Sequence, residues 1–298
     1  MNNNKIQRII NQINSSDAII LEGAISVLSA LSSDDPNNSN ILKIILKQGT
    51  ENKNIQKILT AAKIKKTEIE IFSPDEMREF EDRINNTGLF SIGRTHGGII
   101  AIASKRKFLS PEKLISVLPK APEYASIAII EGIEDPYNLG YAARALYTQG
   151  VDGLILPERD FGFSESIIEK ASTGTFSKMP VAVFSKDITA KTDLIDLLKC
   201  ENFRIYCIDK KAAVNSKIKI SDIFGVKFAD RTVFIIGGEK RGISKDFLNN
   251  ADEIVKIPYA KDFSHSLAAQ TAATVVSYEI HRQRKTGVCQ NGNKTQNV

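Results

Sequence analysis

Residues 233–242 read VFIIGGEKRG, and this stretch decides how the second half of the chain is interpreted. Its first four residues are β-branched or aromatic, which predicts a short buried strand. Gly237 and Gly238 end that strand, and a tight loop follows as far as Gly242, where neither a Walker A loop nor a GxGxxG pattern is present. A glycine pair at this position is commonly a simple turn. It can also let a flat ligand lie directly on the backbone, because no side chain intervenes.

The rest of this half alternates apolar runs with helical patterns, which predicts a mostly parallel sheet covered on both faces. The predicted strands are 126–131, 153–157, 181–184, 203–208 and 232–237, with an edge-like strand at 253–258. A final helix of small and apolar residues is predicted over 264–284. In open α/β sheets, ligands bind beyond the carboxyl ends of the strands, which is where the glycine loop lies.

The first half predicts a smaller α/β domain. Its predicted elements are a helix over 17–32, a strand at 41–46, a helix at 55–64, a strand at 68–72, a helix capped by Ser73 and a strand at 98–104. A linker over 105–124 carries three prolines and five basic residues. The predicted organisation is therefore an N-terminal domain over 1–104, this linker, a second domain over 125–284, and a tail over 285–298 that is rich in Asn, Gln, Gly and Lys and predicted to be disordered.

Composition limits the class of protein more than it identifies it. A length of 298 residues favours about two domains, and a net charge of +5 permits a polyanionic partner without indicating one. The three cysteines form no CxxC pair and lack zinc-ligand spacing, so no metal site is expected. The polar N-terminus and the absence of a long apolar run favour a soluble protein of the cytoplasm.

Two further segments occur where predicted strands end. The first contains Asn138, Gly140 and Arg144, which can be interpreted structurally as a helix cap, a packing glycine and a solvated arginine. The second is Ile257-Pro258 followed by Ser266-Leu267, at the start of the final helix.

The three segments in this order resemble the three motifs of the SpoU-type (TrmH-like) RNA 2′-O-ribose methyltransferases of the SPOUT superfamily. The resemblance implies a C-terminal parallel-sheet domain with a trefoil knot, S-adenosyl-L-methionine as methyl donor, rRNA or tRNA as substrate, and a homodimer. It implies that Arg144 acts at the ribose with Asn138, that Glu239 orients Arg144, and that the donor lies against Gly237, Gly238, Ile257 and Leu267.

The third motif departs from the family pattern at Ala268, where the family carries Asn. An alanine side chain can neither donate nor accept a hydrogen bond, so any contact made by that Asn is lost. Gln270, two positions on, could reach the same space. His265 beside this motif is a candidate proton acceptor, although a surface or capping role is the commoner one.

The first half resembles the ribosomal-protein-like substrate-binding domain that many SpoU enzymes carry, on Leu21-Glu22-Gly23 and on residues 95–101. This makes His96 a candidate RNA contact, with a loop histidine before an edge strand as the structural alternative. The sequence thus predicts an RNA ribose methyltransferase. Two alternatives stay open, namely an RNA-binding protein without turnover and a SPOUT enzyme that methylates a base.

Overall fold

The computed structural model describes residues 2–15, 18–33, 37–88, 90, 92–93, 95–121, 123–159, 164–210, 218–238 and 241–287. The chain forms two compact units, one of Met1–Lys107 with Asp160–Lys178 and the other of Phe108–Arg159 with Met179–Val298. Residues 160–178 thus belong with the first unit, whereas the sequence analysis assigned them to the second domain. None of the helices in the described ranges is long and apolar enough to cross a bilayer.

The described segments contain ten α-helices and eleven strands, in addition to a 3-10 turn at Phe176–Lys178. The helices are α1 Asn2–Ser15, α2 Gly23–Leu31, α3 Ile55–Lys65, α4 Pro74–Asn86, α5 Pro111–Val117, α6 Pro136–Thr148, α7 Ser164–Ser172, α8 Ile188–Cys200, α9 Lys245–Asn250 and α10 Ala269–Thr286. The strands are β1 Ala18–Glu22, β2 Ile41–Lys47, β3 Glu68–Phe72, β4 Ile99–Ser104, β5 Ala125–Ile130, β6 Gly153–Pro157, β7 Val181–Phe184, β8 Arg204–Ile208, β9 Lys219–Asp222, β10 Arg231–Ile236 and β11 Glu253–Lys256.

The first unit is built on a four-stranded sheet in the order β1-β4-β2-β3. The predicted helix over 17–32 is wrong in its first third, because Ala18–Glu22 is a strand that pairs antiparallel with β4. Alternate residues of β1 enter opposite cores: Ala18 and Ile20 pack in one apolar cluster, and Ile19 and Leu21 in the other. A strand buried on both faces is apolar at nearly every position, so its sequence also matches the spacing of apolar residues in a helix.

Helix α7 and the turn after it are held in the first unit by buried polar contacts. Glu165 accepts hydrogen bonds from the Ser39 hydroxyl at 2.8 Å and from the Arg106 backbone amide at 3.0 Å. Glu169 is only 1% exposed and accepts a hydrogen bond from the Ser177 hydroxyl. Ser39 precedes Glu165 by 126 residues and Arg106 precedes it by 59, so these contacts join two early loop segments to a later helix.

The second unit confirms the predicted parallel sheet, in the order β7-β6-β5-β10-β8-β11-β9. β10 lies in the middle and pairs in parallel with β5 and β8, while α6 and α10 pack against each other. The strand predicted as edge-like, β11, is internal, because β9 pairs outside it. The final helix begins at Ala269 rather than Ser264, since residues 257–268 form a loop. The trefoil knot stays a prediction with which this strand order agrees.

Candidate functional site

A cleft lies at the carboxyl ends of β8, β10 and β11, in the middle of the seven-stranded sheet. Three chain segments form its walls: the residues after β8, the glycine loop after β10, and the loop between β11 and α10. Parallel strands that end at one edge bring the loops after them together, so segments distant in sequence meet here. The walls include Ile208, Lys210, Gly242, Ile243, Tyr259 and Ser266.

All four residues that the resemblance assigned to the methyl donor line this cleft. Gly237 and Gly238 come from the loop after β10, Ile257 follows β11, and Leu267 precedes α10. The lining combines aliphatic side chains with exposed backbone and a few polar groups, which is the usual composition of a small-molecule site. Their contact with a donor stays a prediction, but all four positions line the same cleft.

The glycines of the loop are required by the packing of backbone on backbone. A Cβ atom on Gly238 would lie 2.6 Å from the Cα of Gly132, and one on Gly237 would overlap the backbone of Gly242 and Ile243. The loop is also closed by a hydrogen bond from the Gly242 amide to the Gly238 carbonyl at 2.9 Å. The structural and ligand-binding interpretations of this motif are therefore compatible, because the same missing side chains serve both.

The loop between β11 and α10 is tied to the end of β8. The Lys210 ammonium donates to the carbonyl oxygens of Phe263 and His265, and it lies 4.3 Å from the centroid of the Tyr259 ring. The Tyr259 hydroxyl in turn accepts a hydrogen bond from the Leu267 amide at 2.8 Å. One lysine and one tyrosine thus fix the course of the loop that forms one wall of the cleft.

His265, the candidate proton acceptor, is exposed. Its ring lies 5.5 Å from the Phe263 ring, centroid to centroid, and its Nδ1 lies 3.0 Å from the Ser264 hydroxyl. It is absent from the lining of the cleft as the described residues form it. Its role in proton transfer stays a prediction.

The motif-one helix α6 begins earlier than predicted. Its N-cap is Asp135, whose carboxylate accepts from the Tyr137 amide at 3.0 Å, and Pro136 occupies the first turn. The prediction that Asn138 caps the helix is wrong, because an Asp-Pro pair does so three residues earlier. Asn138 instead lies in the first turn, where its Oδ1 accepts a hydrogen bond from Gln270 Nε2 of α10 at 3.1 Å.

Arg144 lies on the same helix with an exposed side chain. It makes no hydrogen bond or ion pair with any residue of the ranges described above. Glu239, its predicted partner, lies outside the described residues, so the pairing of the two stays a prediction. An arginine held by no described carboxylate is available for an anionic ligand.

His96, the candidate RNA contact, is 7% exposed. Its Nδ1 accepts a hydrogen bond from the Gly98 amide at 3.1 Å, and its Nε2 lies 2.9 Å from a carboxylate oxygen of Glu81. Both ring nitrogens are thus engaged inside the first unit. The RNA contact stays a prediction, and it would require the imidazole to leave one of these partners.

Two charged residues near the site escaped the sequence analysis. Glu131, at the end of β5, accepts from the Ser244 amide at 2.7 Å and pairs with Lys191 at 3.0 Å. Ser244 is the N-cap residue of α9, but its hydroxyl makes no capping hydrogen bond, and its backbone amide donates to Glu131. The only sequence signal for Glu131 was its position at the end of the predicted strand over 126–131.

Arg159, after β6, is the second of these residues. Its guanidinium donates to the carbonyl oxygens of Ile133 at 2.6 Å and Glu134 at 3.3 Å, in the loop that leads into α6. Burial lowers the pKa of Arg159, and the nearby Glu134 carboxylate opposes that effect. Arg159 therefore stabilises the loop that leads into α6, the helix that carries motif one.

Comparison with known proteins agrees with this geometry. Residues 125–278 match the SpoU rRNA Methylase family, which is about half of the chain. A putative TrmH family tRNA/rRNA methyltransferase of Staphylococcus epidermidis is 27% identical over 267 residues, covering 89% of this chain and 96% of that protein. A homologous protein of Staphylococcus haemolyticus is 26% identical over 266 residues.

Solved structures share the fold over nearly the whole chain. The SpoU methyltransferase AviRb of Streptomyces viridochromogenes, solved with AdoMet, superposes with a TM-score of 0.66 at 19% identity, covering 91% of this chain and 92% of AviRb. An RNA 2′-O ribose methyltransferase superposes with a TM-score of 0.68 at 18% identity, covering 94% and 96%. The match to the family model over residues 125–278 shows that the chain belongs to the SpoU rRNA methylase family.

Proposed function

We propose that this protein is an S-adenosylmethionine-dependent RNA methyltransferase that transfers a methyl group to a ribose 2′-hydroxyl of rRNA or tRNA. Its membership of the SpoU family supports RNA methylation, and the site geometry supports the finer assignment. The observation that carries the proposal is the single cleft around which Gly237, Gly238, Ile257 and Leu267 meet.

The cleft fits the chemistry of the donor. The glycine loop presents backbone without side chains to the cleft. A Cβ atom placed on Gly242 would meet no atom within 4 Å, so there is open space beside this residue. The aliphatic side chains of Ile208, Ile236 and Ile257 offer apolar contact to a flat ring. When bound, the donor supplies an electrophilic methyl group on a sulfonium sulfur. The chain contributes shape, contact and exclusion of water.

The residues of motif one would serve the acceptor. The positively charged guanidinium of Arg144 would stabilise negative charge that develops on the ribose 2′-oxygen. Asn138 would hydrogen-bond the same ribose, and Glu239 would hold Arg144 in place by a charge-assisted pair. The group that takes the proton is left open in this proposal, with His265 and water as candidates.

A homodimer is the proposed assembly. Helix α6 exposes Tyr137 and Tyr141 at 49% and 50%, and α10, which packs against it, exposes Tyr278 at 57%. Several large aromatic side chains on two neighbouring helices are typical of a surface that another protein covers. Sedimentation equilibrium of the full chain tests this, and a monomer at every concentration would contradict it.

The alternatives differ in the expected product. An RNA-binding protein that has lost turnover would bind donor or RNA without transferring a methyl group, and Ala268 is the residue that favours this reading. A base methyltransferase would place the label on a nucleobase. The presence of Asn138, Arg144 and Glu239 together favours the ribose methyltransferase, because a pure binding module has no need of that trio.

The test is transfer of a labelled methyl group from S-adenosylmethionine to bacterial RNA made without this modification, followed by nucleoside analysis. We expect a labelled 2′-O-methyl nucleoside that disappears with Arg144→Ala. Label on a base would replace the proposal with the base-methylating alternative. Donor binding without any label would favour the binding protein.

A further inference from the structure

Asn138 and Gln270 join the first and third motifs through one hydrogen bond. The Gln270 Nε2 donates to the Asn138 Oδ1 at 3.1 Å, although the two residues are 132 positions apart. Asn138 lies in the first turn of α6, and Gln270 is the second residue of α10. Both side chains are half-buried, and Gln270 itself is absent from the described lining of the cleft.

In this pairing the Oδ1 end of the Asn138 amide faces Gln270, and the Nδ2 end faces away from it. A side-chain amide offers an acceptor oxygen and a donor nitrogen of nearly equal size, so sterics alone do not choose between them. Because Oδ1 is occupied by Gln270, Nδ2 is the end that is left to donate. No described residue accepts a hydrogen bond from it.

The hydrogen bond to Asn138 leaves the oxygen of the Gln270 amide without a partner among the described residues. Its Oε1 is buried and accepts no hydrogen bond from any described residue. A buried acceptor without a donor costs about 1–3 kcal/mol, and such groups are rare where folding alone decides the conformation. The side chain is thus held by its donation to Asn138 at the expense of its own oxygen.

We propose that Gln270 is a positioning residue that fixes the Asn138 amide with its nitrogen toward the acceptor nucleotide. The inference rests on the proposed function, since Asn138 must act there. Gln270 also places a side-chain amide two residues after Ala268, the position at which the family carries asparagine. Gln270 touches neither donor nor RNA in this assignment and acts through Asn138 alone.

The test is a double-mutant cycle on the full-length protein with Asn138→Ala, Gln270→Ala and the pair, with Thr271→Ala as the exposed neighbour control. Donor affinity by calorimetry, kcat and the KM for RNA, and the thermal midpoint are measured for each. We expect Gln270→Ala to lower kcat about tenfold, the loss of roughly one hydrogen bond, with donor affinity and RNA KM unchanged. In the Asn138→Ala background the same substitution should change kcat no further.

Gln270→Glu provides a variant that keeps the shape of the side chain. A carboxylate can only accept, so Asn138 would have to turn its nitrogen toward residue 270 and present its oxygen to the site. We expect kcat to fall as in Gln270→Ala while the thermal midpoint stays at that of Thr271→Ala. A full kcat in either Gln270 variant, or an equal further loss in the Asn138→Ala background, would overturn the inference alone. A wild-type protein without methyl transfer would overturn the proposed function and the inference with it.

Discussion

Gly132 and Gly238 lie against each other so closely that a Cβ on Gly132 would be 2.6 Å from the Cα of Gly238, and the reverse contact is equally short. One glycine follows β5 and the other follows β10, and these strands are neighbours in the sheet. The glycine loop beside the cleft is therefore positioned by a second backbone, and not by its own hydrogen bonds alone.

We expect Gly132→Ala to push the glycine loop out of place. Neither partner of the contact is a flexible side chain, so the strain should cost about 1–3 kcal/mol of unfolding free energy and weaken donor binding. Urea unfolding and calorimetric titration with S-adenosylmethionine measure the two effects. Gly225→Ala is the matched control, because its Cβ would meet no atom closer than 3.9 Å. Equal behaviour of the two variants would refute the close approach.

Tyr259→Phe should loosen the loop that forms the other wall. The change removes only the hydroxyl that accepts from the Leu267 amide. A lost hydrogen bond of about 1 kcal/mol corresponds to roughly a fivefold weaker affinity for the donor. Calorimetry measures this, with Tyr137→Phe as the control, since Tyr137 is exposed on α6. An unchanged affinity in Tyr259→Phe would show that the loop is held without this bond.

Ala268→Asn should stabilise the protein. Ala268 is the N-cap residue of α10, its backbone is extended with φ −58° and ψ 144°, and no side chain caps the first turn. An asparagine there can accept a hydrogen bond from an amide of that turn, worth about 1 kcal/mol. The free energy of unfolding in urea measures the gain. Ala268→Leu has a side chain with the same branching but no acceptor and should give none; a gain in both would assign the effect to side-chain bulk rather than to capping.

Glu169→Gln should remove a pH dependence of stability. Burial raises the pKa of Glu169 to about 7, while the Ser177 hydroxyl and the Arg106 charge oppose that shift and the neighbouring Glu165 carboxylate adds to it. The folded state then binds more protons than the unfolded state between the unfolded pKa and this value. Stability is full below about pH 4 and falls by roughly 3 kcal/mol as the pH rises through 7.

Unfolding free energies at about pH 5 and pH 8 test this relation. We expect the wild-type protein to lose stability over that interval, and Glu169→Gln to lose less of it and to be the more stable of the two at the higher pH. Glu51→Gln, at an exposed position of the same unit, should behave as the wild type. A wild-type stability that rises with pH would contradict the burial of a neutral Glu169.

The strands of the large sheet were predictable because each is a short apolar run bounded by turn residues, and a parallel sheet with both faces covered requires such runs. The same property misled the analysis at Ala18–Glu22, where an apolar strand adjoins a real helix and the combined run has a helical period. β9 was missed since Ile220 is its only apolar residue and its burial pattern is mostly exposed. Pairing with β11, not hydrophobicity, makes it a strand.

The candidate site was predictable as far as local patterns mark it. Gly237 and Gly238 are marked by an apolar strand that ends in glycine, and Ser266-Leu267 by the helix that follows. The contacts from Gln270 to Asn138 and from Gly132 to Gly238 depend on how distant segments meet, and no local spacing encodes that. Asn138 as a helix cap failed for a simpler reason, because Asp135 and Pro136 together are the stronger start signal.

Helix α7 has a consequence for the order in which the protein can be made. Ser39 and Arg106 leave the ribosome well before Glu165, the carboxylate that both of them bind. The first unit therefore cannot close its polar interior while only its N-terminal stretch has been synthesised. Its completion waits until the chain has passed residue 178, when β5 and β6 of the other unit have already emerged. Neither unit is a continuous stretch of the chain, so we expect the two units to fold together rather than one after the other.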